Sequence, residues 1–122
     1  MSKRILIVED QEDNRTILRD LLGNAGYNVI EAVNGEDGVA LAVALRPDLI
    51  VMDIQLPVMD GYDATRRIKS NTHLKSVPVI AVTSYALSGD EGKARAAGCD
   101  AYVAKPFSPR QLLAKIREFL PN

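Results

Sequence analysis

Apolar runs of strand length recur along this chain with helix-length segments between them, and that alternation constrains the fold more than any other feature. The runs occupy residues 5–8, 49–52, 79–82 and 101–104, with a weaker one at 29–30. Between them, Ile17, Leu18, Leu21, Leu22 and Ala25 recur at helical spacing up to Gly26. Residues 35–45 carry Val39, Leu41, Ala42, Val43 and Leu45 and stop before Arg46-Pro47, because the residue preceding a proline is disfavoured in helical conformation. A short helix is expected over 64–69. Another is expected over 88–97, capped by Ser88 and closed by Gly98, and a last one follows Ser108, with Pro109 at its first position and Leu112, Leu113, Ile116, Phe119 and Leu120 as its stripe. Strands alternating with helices predict an α/β fold with a parallel sheet, and near-continuous apolar strands fit burial on both faces.

In such a sheet, ligands gather beyond the carboxyl ends of the strands. Glu9 and Asp10 follow the first run, Asp53 the third, Thr83 and Ser84 the fourth, and Lys105-Pro106 the last. Parallel packing would collect three carboxylates, two hydroxyls and an ammonium at one edge. Clustered carboxylates repel unless a cation intervenes. Hard oxygen donors suit Mg2+, and a divalent metal beside a lysine would receive an anion such as a phosphoryl group.

The remaining features exclude other classes. One cysteine, Cys99, and one histidine, His73, allow neither an internal disulfide nor a Cys/His zinc cage, and Cys99 is expected to pack as a small apolar residue. A net charge of -1 gives no excess to attract nucleic acid or a membrane surface. The first apolar run is too short for a signal peptide or membrane span, so a cytoplasmic protein is expected. The glycines around Gly89 and Gly92 lack P-loop spacing. The 122 residues are read as a single domain.

The stretches ILIVEDQEDNR, DLIVMDIQLPVMDGYDATRRIK, PVIAVTSYA and GCDAYVAKPFSPRQLL, in this order, closely resemble the receiver domain of bacterial two-component response regulators. The resemblance covers essentially the whole chain. It implies a flavodoxin-like five-stranded sheet in the order 2-1-3-4-5 with helices on both faces. It further implies that Asp53 accepts a phosphoryl group and that Glu9 and Asp10 hold Mg2+ or Mn2+ with Asp53 and the backbone oxygen of Gln55. Asp10 is then the expected direct ligand and Glu9 acts through water. Thr83 and Lys105 would contact the phosphoryl oxygens, Tyr102 would be the aromatic switch, and the Lys105–Pro106 bond would be cis. Gln55 and Tyr85, each two residues beyond a site residue, are expected to tune loss of the phosphoryl group. Glu9 stands where many receivers carry Asp.

The function implied is that of a stand-alone receiver phosphorylated by the phosphohistidine of a histidine kinase or histidine phosphotransfer protein, with output through the face spanning residues 88–120. It would not be an enzyme beyond self-catalysed phosphotransfer and dephosphorylation. A Mg-dependent phosphatase is the competing enzyme class, but it would need an acid where Gln55 stands. Two further alternatives are a degenerate receiver that only binds protein and a receiver excised from a hybrid kinase.

Overall fold

The computed structural model describes residues 2–84 and 90–121. Its elements run β1 (Arg4–Val8), α1 (Glu12–Asn24), β2 (Asn28–Ala32), α2 (Gly35–Leu45), β3 (Leu49–Asp53), α3 (Gly61–Ser70), β4 (Val79–Thr83), α4 (Asp90–Ala97), β5 (Ala101–Ala104) and α5 (Pro109–Phe119). The strands form one parallel sheet in the order β2-β1-β3-β4-β5, as expected. β3 and β4 are buried along their whole length, which accounts for their unbroken apolar sequences.

Side chains alternate between the two faces of the sheet. Leu6, Val8, Ile50, Met52, Val79 and Ala81 pack with Ala42 of α2, Ala64 and Ile68 of α3 and Ala94 of α4. Ile5, Ile7, Leu49, Val51, Ile80 and Val82 pack with Leu18 and Leu22 of α1 and Leu112 and Ile116 of α5. Cys99 is buried with its Sγ 3.8 Å from Thr65 Oγ1, and burial raises its thiol pKa. Among the described residues, no helix is long and apolar enough to cross a membrane.

Three expectations need correction. Ile17 does not join the buried face of α1; it is 63% exposed. In α2 the fully buried residues are the small ones, Gly35, Gly38 and Ala42, with Val39 and Leu41 half-buried against the same core, while Val43 and Leu45 face solvent. The cause is close approach: a Cβ on Gly38 would stand 2.8 Å from Val8 Cγ2. The third helix begins earlier than the pattern suggests, because Asp60 is its N-cap and accepts from the Asp63 N–H at 2.9 Å. The predicted cap Ser88 lies outside the described residues, and α4 is described from Asp90. Ser108 does cap α5: it accepts from Gln111 N while the Gln111 side chain accepts from Ser108 N, with Pro109 at the first position.

Candidate functional site

Parallel register brings the strand ends together. Val8 is level with Met52, Asp53 with Val82, and Thr83 with Ala104, so Glu9, Asp53, Thr83 and Lys105 emerge at one edge of the sheet. Carboxylate oxygens of Glu9, Asp10 and Asp53 lie within 4.8 Å of one another. Lys105 Nζ stands 3.3 Å from Glu9 Oε1 and 3.6 Å from Asp53 Oδ1. Glu9 is 2% exposed and Asp53 5%, whereas Asp10 is half-buried. The Lys105–Pro106 bond is cis.

Burial and the neighbouring Glu9 charge push the Asp53 pKa from the usual 3.8 to about 7. Glu9 moves the other way. Burial would raise it, but the Gln11 N–H at 3.0 Å, the hydrogen bond from Asp53 and the Lys105 ammonium together hold it below its ordinary value. Burial and mutual repulsion thus oppose ionisation of both carboxyls together, and a second cation would favour it. The donor set fits a hard divalent ion: three carboxylates converge, and Asp10, two residues beyond β1, is the one most open to solvent.

Two residues bind the site together in ways the sequence did not indicate. Arg15 Nη1 donates to the backbone oxygens of Glu9 at 3.0 Å and Asp10 at 3.1 Å, and its Nε lies 3.7 Å from Glu31 Oε1. The helical spacing of α1 places Arg15 one turn above the acidic loop, but nothing in its residue type marks it as a loop clamp. Gly61 starts α3 against the back of β3. A Cβ there would come within 2.3 Å of Asp53 O and 2.8 Å of Ile54 Cα, so only glycine fits. Asp60-Gly61 reads as a turn; the structure adds a helix cap and a close backbone approach beneath Asp53.

Gln55 lies across the mouth of the site. Its N–H donates to Asp53 Oδ1 at 3.2 Å, its Nε2 donates to Thr83 Oγ1 at 2.5 Å, and its Oε1 accepts from Ser84 N at 2.9 Å. Tyr102 is half-buried against the core cluster that contains Ala81. Tyr85, the other expected rate-tuning residue, lies outside the described residues. Beside Asp53 opens a cavity of about 630 Å³, bordered by Ile17, Leu18, Phe107, Pro106, Glu9 and Lys105 among others.

A five-stranded parallel sheet in the order 2-1-3-4-5 with an acidic cluster and a lysine at its carboxyl edge defines a flavodoxin-like α/β class. Within it, this chain belongs to the response regulator receiver domain family, whose model matches residues 5–117. It is 44% identical to the polar-differentiation response regulator DivK of Brucella anthropi over 98% of each chain. Among solved structures, the receiver domain of the sensor histidine kinase PA1611 from Pseudomonas aeruginosa, crystallised with a magnesium ion in its active-site cleft, is 38% identical and covers 100% of both chains with a TM-score of 0.92. The chemotaxis protein CheY4 of Vibrio cholerae is 27% identical over 98% of this chain and 99% of that one, with a TM-score of 0.93.

Proposed function

We propose that this receiver is a phosphorylatable switch in which Asp53 is the acceptor. The observation that carries this reading is the placement of Asp53, buried at the end of a central strand, 3.6 Å from Lys105 Nζ and within reach of two further carboxylates. An Asp53 oxygen attacks the phosphorus of a phosphohistidine. The P–N bond breaks, the imidazole leaves with its electron pair and takes up a proton, and an acyl phosphate remains on Asp53. Lys105 neutralises the transferred oxygens, and Thr83 donates its hydroxyl to one of them.

Asp10, Asp53 and the backbone oxygen of Gln55 would hold Mg2+, or Mn2+ in its place, with Glu9 acting through water. Glu9's two oxygens face Lys105 Nζ and Gln11 N, which favours Asp10 as the direct ligand. The ion, when bound, supplies charge neutralisation between the acceptor and the incoming phosphoryl group. The donor is a histidine kinase or histidine phosphotransfer protein, the setting is the cytoplasm, and the face built from α4, β5 and α5 reports the change to a protein partner. Thr83, drawn towards the phosphoryl group, makes room for Tyr102 to turn inward.

The test is intact mass after incubation with acetyl phosphate and Mg2+. One phosphoryl group should add to the wild type, none to Asp53→Asn, and little to Asp10→Ala at low Mg2+. Lys105→Ala should bind Mg2+ but fail to convert phosphorylation into shifts at Tyr102. A full-strength signal on Asp53→Asn would remove Asp53 from this role.

A further inference from the structure

Helix α2 packs Val39 and Leu41 against the core but leaves two further large apolar residues, Val43 and Leu45, turned to solvent. A surface helix ordinarily turns apolar residues inward and charged ones outward. Here Gly35, Gly38 and Ala42 are buried, and the fit cannot rotate: a Cβ on Gly35 would meet Met59 O at 2.7 Å and one on Gly38 would meet Val8 Cγ2 at 2.8 Å. The outward face is Ala40, Val43, Ala44 and Leu45, with Val43 48% exposed. From Val39 to Leu45 no side chain is polar. The two ends are charged with opposite sign. Glu36 and Asp37 are exposed in the first turn, Arg46 is exposed at the C-cap, and the Arg4 guanidinium donates to the backbone oxygens of Leu45 and Arg46. Among the described residues, neither Glu36 nor Arg46 is in an ion pair.

We propose that this face is the contact surface of a homodimer, with α2 of one copy antiparallel to α2 of the other. The charge arrangement selects both partner and direction. An antiparallel pair sets Glu36 and Asp37 of each copy against the Arg46 and Arg4 end of its partner, at both ends at once. A parallel pair would oppose like charges. With the two-fold axis passing between Leu41 and Ala42, Ala40 faces Val43 of the partner copy, small against large, and no polar group is stranded. A second copy of this chain satisfies all three requirements through the symmetry of a single surface.

An 11-residue helix is about 16 Å long, so one helix pair buries less than a standard-size interface. The contact is therefore weak and concentration-dependent, with a dissociation constant of roughly 10 μM to 1 mM. It makes no use of Asp53 and does not depend on the phosphorylation reading.

Analytical ultracentrifugation of the full chain at low salt tests it. The weight-average mass should climb from 13.3 kDa towards twice that value as loading rises to roughly millimolar. Val43→Glu should stay monomeric throughout, with an unchanged circular dichroism spectrum. Arg46→Glu should weaken association at least about fivefold, and the charge exchange Glu36→Arg with Arg46→Glu should restore it. A wild type that stays monomeric at roughly millimolar loading overturns the proposal. So does dimerisation that survives Val43→Glu, which would place the contact or the partner elsewhere. A charge exchange that fails to restore association, in a variant that folds normally, overturns the antiparallel arrangement.

Discussion

Gln55 Nε2 donates a 2.5 Å hydrogen bond to Thr83 Oγ1, while its Oε1 accepts from the backbone N–H of Ser84. The Ser84 N–H can only donate, so the amide is oriented and Thr83 is the group that accepts. A residue whose own N–H touches Asp53 therefore also restrains the Thr83 hydroxyl, which the proposed switch would draw towards Asp53.

On the proposed switch, that bond would have to be given up as Thr83 turns to a phosphoryl oxygen. A neutral hydrogen bond contributes about 1 kcal/mol, so Gln55→Ala should bind beryllofluoride, a phosphoryl mimic, about fivefold more tightly. Titration followed by NMR at Thr83 and Tyr102 reads this directly. The same variant should change the rate of dephosphorylation, since the amide stands beside both Asp53 and Thr83. Unaltered beryllofluoride affinity would show that the bond does not oppose switching.

The raised Asp53 pKa makes stability depend on pH. The fold favours the neutral carboxyl, so between pH 4 and about 7 the folded protein holds a proton that the unfolded chain has lost. The stabilisation from Asp53 is full below about pH 4 and is lost as pH rises through about 7. Glu9, held low, acts in the opposite sense, and its contribution is lost only as pH falls below the ordinary carboxylate range. Asp53→Asn should therefore match the wild type near pH 4 and exceed it by roughly 2–4 kcal/mol at pH 8 without metal. Mg2+ should narrow the gap, because it favours the charged form. Urea unfolding from pH 4 to 8 with and without EDTA measures all three expectations, and an equally steep pH dependence in Asp53→Asn would place its origin elsewhere.

These properties were unevenly legible in the sequence. The central strands could be read because burial on both faces leaves an unbroken apolar run, and the strand-end residues Glu9, Asp53, Thr83 and Lys105 could be read because parallel register sends chemistry to one edge. Helix faces were legible where polar residues supplied contrast, as in α5. In α2 the face was only partly legible: Val39, Leu41 and Ala42 do meet the core, but seven apolar residues in a row could not mark Val43 and Leu45 as outward, and the inward side is chosen by Gly35 and Gly38 fitting against Met59 and Val8. Arg15 escaped because its contacts are to backbone oxygens, which leave no mark on residue type. Gly61 was half-read, since a turn and a close backbone approach demand the same residue.

Gly61 supplies the third prediction. Gly61→Ala places a methyl group 2.3 Å from Asp53 O, and the obstacle is backbone rather than a flexible side-chain end. β3 or the start of α3 has to shift, at a cost of about 3 kcal/mol. The displaced group carries Asp53, the proposed acceptor, so phosphorylation by acetyl phosphate should slow by more than the loss of folded protein explains. Urea unfolding beside a single-turnover phosphorylation assay distinguishes this from simple destabilisation. Wild-type rates per folded molecule would mean that α3 alone gives way.

Lys69 provides the converse case, a residue that should govern stability without touching the chemistry. Its Nζ donates to Val77 O at 2.6 Å, Lys75 O at 3.2 Å and Asp100 Oδ2 at 2.8 Å, and the same Asp100 oxygen accepts from Val79 N at 2.8 Å. One ammonium thus ties the end of α3 to the loop entering β4 and to the turn before β5, at the edge of the sheet opposite Asp53. Its side chain is only 15% exposed, so the contacts are poorly screened. Lys69→Met keeps the apolar stem but takes the ammonium from the Val77 carbonyl and leaves Asp100 with only the Val79 N–H. Unfolding free energy should fall by about 1–2 kcal/mol. The exposed Arg95–Glu91 pair, 3.1 Å apart, is the control: Arg95→Ala should cost well under about 1 kcal/mol. Phosphorylation of Asp53 in Lys69→Met should proceed at the wild-type rate under conditions where the variant is folded. A reduced rate there would mean that strain at the amino end of β4 reaches Thr83 through the strand, and the separation of stability from chemistry would fail.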